Sequence, residues 1–216
     1  MCRPLIALVA SVVLTSTAHA QIGRPPARPR SLTWVSASVG VMELSNVADG
    51  STNSEWLFGN TVQYRLSVEL PIQNQSTVGI SGAFARVPLR YEPLDIVNPG
   101  CSFACDADAT VTQLMATFHA GRTALGFHQI IDISVGAIGY SGFRARTSGA
   151  RLPPRQLDAD IAGGIGYGFG YALSPDMQIS LVQEGFLSVH QRTGLDNGTD
   201  TVGRQFVLRL GTRFGF

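Results

Sequence analysis

The sequence predicts an all-β protein, an antiparallel up-and-down transmembrane β-barrel of eight strands. Three observations predict it. Period-two alternation of apolar and polar residues recurs in eight segments. The connections between those segments alternate long and short, as expected when short turns face one side of a membrane and longer loops the other. Past residue 20 the chain has no run of about 18 apolar residues, which excludes a helical membrane protein. A closed barrel is then the remaining way to satisfy backbone groups in lipid.

The N-terminus reads as a secretory signal spanning 1–20. Arg3 supplies the positive start, and Leu5 to Leu14 is an apolar core too short to cross a bilayer as a helix. Ala18-His19-Ala20 is an A-x-A cleavage site, so Cys2 would leave with the signal. Residues 21–30 (QIGRPPARPR) form a Pro/Arg-rich periplasmic lead without a core-forming pattern. Residues 31–216 are the barrel domain.

The clearest strand is the last. From Gln205 to Phe216 one face carries Phe206, Leu208, Leu210, Thr212, Phe214 and Phe216, and the other Gln205, Val207, Arg209, Gly211, Arg213 and Gly215. Segment 157–173 sets Ile161, Ile165, Tyr167, Phe169 and Tyr171 against Asp158, Asp160, Gly164, Gly166, Gly168 and Gly170. Segment 61–70 sets Val62, Tyr64, Leu66, Val68 and Leu70 against Gln63, Arg65, Ser67 and Glu69. The other strands fall at about 31–42, 77–90, 110–119, 126–146 and 178–190. Alternation in 178–190 breaks around Gln183 to Phe186, which a bulge at Gly185 would repair. Pro88 places the end of 77–90 outside the paired zone. Long connections fall at 43–55, 91–109, 147–156 and 191–203, and short ones at 71–76, 120–125 and 174–177.

The terminal strand FVLRLGTRFGF, ending on Phe216, resembles the C-terminal signature of bacterial outer-membrane barrels. With the signal peptide and eight strands, the chain resembles the small group that includes the outer-membrane protein A barrel and outer-membrane protein X. That resemblance implies an outer-membrane location and outer-membrane lipids as surroundings. It also implies recognition of Phe214 and Phe216 by the barrel-assembly machinery.

In a membrane barrel the apolar face looks at lipid, so Arg65, Glu69, Asp158, Asp160, Glu184, Arg209 and Arg213 are expected to line the lumen as a charge network, with Arg144 and Arg146 joining near the outer rim. Eight strands leave a lumen that side chains fill, and charges inside it must pair. Glycines at 164, 166, 168 and 170 leave room for long side chains from across the lumen, or open a cavity. Trp34, Trp56, Phe58, Tyr91, Phe127, Phe143, Tyr171, Phe214 and Phe216 fall near strand ends, where aromatic girdles are expected.

Cys101 and Cys105 lie in the longest loop of a chain destined for an oxidising compartment, so they are expected to form a disulfide. The net charge is +1, with every one of the 16 cationic residues an arginine and no basic cluster, which argues against nucleic acid as a partner. His128, Asp132 and Ser134 share one face and are the best catalytic constellation, faintly resembling the His/Ser arrangement of lipid A deacylase. Their order does not match that family's His-x-Ser pattern and their face points to the lumen, so no enzyme is expected. The chain carries no phosphate loop and no zinc motif. Asp196, Asn197 and Asp200 do not match calcium-loop spacing, and neither metal nor cofactor is expected. Arg86 and Arg90 lie near the outer rim, within reach of lipopolysaccharide phosphates. The leading reading is a structural or interaction barrel with a plugged lumen that acts through its outer loops. The alternatives are a small pore or transporter, a lipid-modifying enzyme, and a soluble lipocalin-like carrier with its faces inverted.

Overall fold

A computed structural model describes residues 33–50, 52–73, 75–94, 101, 103–121, 125–190 and 202–216. The signal 1–20, the lead 21–30 and the residues Asp196, Asn197 and Asp200 lie outside these. The strands are β1 (Trp34–Leu44), β2 (Val47–Asp49), β3 (Ser54–Phe58), β4 (Thr61–Gln73), β5 (Ser76–Pro93), β6 (Cys105–Ala120), β7 (Gly126–Ala145), β8 (Asp158–Ser174), β9 (Met177–Val189) and β10 (Val202–Gly215). All pair antiparallel. β1 pairs β10 and β5 pairs β6, so the sheet closes on itself. β2 continues β1 past a break at Ser45–Asn46, and β3 leads into β4 past a break at Gly59–Asn60, so the barrel has eight walls.

Through most of the wall the alternation sets apolar residues outside. On β4 Val62, Tyr64, Leu66, Val68 and Leu70 are exposed, while Gln63, Arg65, Ser67 and Glu69 are buried. On β10 Phe206, Leu208, Leu210 and Phe214 are exposed, while Gln205, Val207 and Arg213 are buried. Such a continuous apolar outer surface is costly in water and suited to lipid.

On β5 and β6 the chemistry of the two faces then exchanges at the outer end while the period stays two. On β5 the outward residues run Val78, Ile80 and Phe84, then Arg86 and Arg90. The inward residues run Thr77 and Ser81, then Ala85, Val87, Leu89 and Tyr91. β6 follows suit, with Ala107, Ala109 and Val111 inside. A wall that leaves lipid for water must turn its apolar face inward. The hydrophobic core therefore sits in the outer part of the lumen, where Trp56, Tyr91, Tyr140, Phe143, Leu152 and Phe186 pack together.

Several sequence expectations change here. The stretch 43–55 is not all loop, because β2 and β3 form a hairpin that extends the wall. The connection 91–109 is shorter, since β5 runs to Pro93 and β6 starts at Cys105. Pro88 lies inside the paired zone, opposite Asp108 of β6. Its carbonyl accepts from the Gly59 amide at 2.7 Å. N and O of one residue face the same neighbour in an antiparallel ladder, so the donor that proline lacks falls at the break between β3 and β4.

Gly185 is not a bulge. β9 keeps register with both neighbours across it, and inward and outward residues alternate without interruption. The pattern looked broken because Gln183 faces out and Phe186 faces in. A bulge falls instead on β7, where three steps from Ser141 to Arg144 match two steps from Thr110 to Asp108. Gly142 there has φ 65°. The extra residue flips the parity, so Phe143 and Ala145 turn inward, and Arg144 and Arg146 stand outside the barrel rather than in the lumen. Trp34, Trp56, Tyr91 and Phe143 are buried inside and belong to no girdle, whereas Phe127, Tyr171, Phe214 and Phe216 are exposed at the end bearing the short turns.

Candidate functional site: a charged lumen beneath an apolar outer plug

The lumen is layered. At the end near the chain termini, Arg213 of β10 stacks its guanidinium 5.0 Å from the ring centroid of Trp34 and donates to Glu69 Oε2 at 2.5 Å. Glu69 also accepts from Ser67 at 2.9 Å and Thr77 at 2.5 Å. Arg213 contacts His119 Nε2 at 2.6 Å. Because guanidinium only donates, that nitrogen accepts. His119 Nδ1–H then donates to Asp132 Oδ1, 2.6 Å away. The imidazole is held at both nitrogens.

The middle layer holds Arg65, Arg209, Glu184 and Asp132. Arg65 Nη1 donates to Glu184 Oε1 at 2.8 Å, Arg209 Nε lies 3.1 Å from Glu184 Oε2, and Arg209 Nη2 donates to Asp132 at 2.5 Å. Three arginines thus face three carboxylates, which is the balance that buried charges require. The remaining cavity among them is about 30 Å³, room for a water or two. Above it, Gln63 donates to Gln113 at 3.2 Å and Gln113 to Gln205 at 2.6 Å. Then come Phe186 and the aromatic plug, with Trp56 4.5 Å from Phe143 and 5.7 Å from Tyr140 between ring centroids.

The glycines of β8 are where the long side chains fit. A Cβ at Gly164 would meet Phe186 Cδ1 at 2.3 Å, and one at Gly166 would meet Glu184 Cγ at 2.9 Å. The room they leave is occupied.

Of the residues expected in the network, Arg65, Glu69, Glu184, Arg209 and Arg213 come together. Asp158 and Asp160 stand apart at the outer end. There Asp160 accepts from His190 Nδ1 at 2.9 Å. The third carboxylate among the arginines is Asp132, and His119 joins it; their lumen-facing positions on β6 and β7 are the sequence signal for both. His128 is half-buried, and a Cβ added at Gly170 would lie 2.5 Å from its Nε2. Asp132 is committed to His119 and Arg209, so His128, Asp132 and Ser134 form no relay.

Outside the barrel, beyond Phe84, Asp108 is bound by Arg146 at 2.6 Å and by Arg86 at 3.2 Å. The hydrogen bond from Arg146 is the main reason the Asp108 carboxyl is held below its usual range. Arg90 pairs with Glu92 at 2.8 Å. Cys101 and Cys105 are joined by a disulfide, with Cα atoms 6.0 Å apart, so neither thiol is open to a metal.

No protein-family model matches the chain, and no curated protein matches it. Solved structures do. Neisserial surface protein A aligns over 85% of this chain and 97% of its own, with TM-score 0.51 and 16% identity. The fold is that of the small eight-stranded outer-membrane barrels. The N-terminal barrel domain of OprF from Pseudomonas aeruginosa aligns over 87% of this chain and all of its own, at TM-score 0.44 and 13% identity. The outer membrane protein OprG from the same organism covers 88% of this chain and 98% of its own, at TM-score 0.47 and 11% identity.

Proposed function

We propose that this chain resides in the outer membrane as a closed barrel that conducts nothing through its lumen and acts through its outer end. One observation carries the reading: the lumen is filled from end to end, by the arginine–carboxylate layers below and the Trp56–Tyr140–Phe143 plug above, and the cavity left among the charges is about 30 Å³. On this reading the chain is not an enzyme, and its chemistry lies in the surface built by the β2–β3 hairpin, the tall β5–β6–β7 wall and the loops beyond them. Outer-membrane lipids cover the belt. Phe214 and Phe216, exposed on the last strand, serve as the signal to the barrel-assembly machinery.

Planar-bilayer recording of the refolded protein tests the closed lumen. The expected result is an unaltered baseline at either polarity. Discrete steps that change in size when Glu184 is replaced by Gln would make it a pore instead. Fractionation with heat-modifiable gel mobility tests the location: the expected result is recovery in the outer membrane as a form whose mobility shifts on boiling. Recovery as a soluble species would overturn the membrane reading.

A further inference from the structure

The outer end holds a group of side chains that the closed-barrel reading does not use. Asp49 of β2, Asp158 at the start of β8 and His190 just past β9 converge, each offering one ligand atom within 4.8 Å of the other two. His190 is 3% exposed. Its Nδ1 is engaged by Asp160, at 2.9 and 3.0 Å to the two carboxylate oxygens. Its Nε2 is buried and faces Asp49 Oδ1 at 3.8 Å, beyond hydrogen-bond distance, with no closer partner among the described residues.

We propose that Asp49, Asp158 and His190 bind a divalent transition-metal ion of the zinc class, with Asp160 as the carboxylate that orients the imidazole. The donor set is one imidazole nitrogen and two carboxylate oxygens, hard-to-borderline ligands that suit such an ion and leave a position open for water. A carboxylate on the far nitrogen of a ligating histidine fixes its tautomer and turns the other nitrogen to the metal, and Asp160 stands where that role requires. Charge points the same way. Among the described residues three aspartates stand around one imidazole, a carboxylate-rich set that suits a cation. Ligand atoms of a tetrahedral zinc site lie about 3.4 Å apart, so binding draws the three elements together by roughly an ångström.

The site has a way in and a consequence. Thr52 and Asp158 line an open cleft with Pro153, Pro154 and Arg155 at the outer surface, which gives an ion access from outside. The ligands come from three separate elements, so the ion would cross-link the β2–β3 hairpin to β8 and the end of β9. Trp56 lies 5.4 Å from the His190 ring, close enough to report occupancy. This inference does not depend on whether the lumen conducts.

The test uses untagged protein refolded in detergent and stripped with chelator. Zinc is titrated by calorimetry, and quenching by nickel is followed in a Trp34→Phe variant, which leaves Trp56 as the single tryptophan. The expected result is one zinc per chain, with Trp56 emission quenched at the same stoichiometry. His190→Ala and Asp158→Asn each lower the affinity at least about tenfold and Asp160→Asn about 10–100-fold, while His128→Ala leaves it unchanged. Asp158 lies at the rim, so its variant keeps the test open if His190→Ala fails to fold. Absence of saturable binding to the folded protein, or equal affinity in the Asp158→Asn variant, overturns the proposal.

Discussion

Arg65 of β4 reaches across the lumen to Glu184 of β9 at 2.8 Å, and Arg209 of β10 lies 3.1 Å from the other oxygen of the same carboxylate. One side chain thus ties three walls. Glu184→Gln leaves two buried guanidinium groups facing a neutral amide, and breaking a buried pair in this way costs about 3–5 kcal/mol. Arg65→Met should cost less, because Arg209 still faces Glu184. Thermal loss of the folded gel mobility should order the proteins as wild type, Arg65→Met, then Glu184→Gln. The reverse order of the two variants would mean that Glu184 is not the shared anchor.

Gly164 and Phe186 occupy one volume. A Cβ at Gly164 would lie 2.3 Å from the Phe186 ring, so Gly164→Val overpacks a closed interior at a cost of about 1–3 kcal/mol. Phe186→Ala in that background should recover part of the loss, because the two changes compete for the same space and are non-additive. Denaturant unfolding of the single and double variants measures the coupling. Simple additivity would show that the ring is free to move aside.

These pairs show what the sequence could carry. Period two and turn residues are local, so the eight walls and the outward apolar belt were legible in segments such as 61–70 and 205–216. The inward face of those segments also marked Arg65, Glu69, Arg209 and Arg213. What could not be read was where the wall leaves the membrane. The exchange of faces at Phe84 and Arg86 keeps the same period, so it leaves no break in alternation. It made Trp56, Tyr91 and Phe143 resemble girdle residues when they are core. The break that was visible, at Gln183 to Phe186, came from a phenylalanine needed opposite Gly164 and not from backbone geometry. The Asp49, Asp158 and His190 group has no sequence spacing at all, since β2, β8 and the end of β9 meet only when the barrel closes.

Gly142 sets the parity of the outer end of β7. With φ 65° it adopts a conformation that costs a residue with a side chain about 1–2 kcal/mol. Gly142→Val should therefore lower stability by at least that amount. The larger consequence is geometric, since losing the bulge would turn Phe143 out of the plug and Arg144 into it. Near-ultraviolet circular dichroism of the variant should lose intensity from the aromatic cluster. A spectrum equal to wild type would show that the bulge persists without glycine.

Arg86 and Arg90 mark the outer edge of the belt. Arg86 follows Phe84 on the outward face, and the two arginine side chains are 71% and 60% exposed although each has an acidic partner. Exposed ion pairs contribute about 0–1 kcal/mol, so in uncharged detergent the variant Arg86→Ala/Arg90→Ala should unfold within about 1 kcal/mol of wild type. They follow the apolar outward residues Val78, Ile80 and Phe84 of β5, a position from which a cation would meet lipid phosphates. Arg86 shares Asp108 with Arg146, whose hydrogen bond is the main hold on that carboxylate. The Arg86 guanidinium is therefore left partly uncompensated. Adding phosphate-bearing lipid A to the micelles should raise the unfolding temperature of wild type more than that of the double variant, and added salt should shrink the difference. An equal rise in both proteins would remove these arginines from lipid contact.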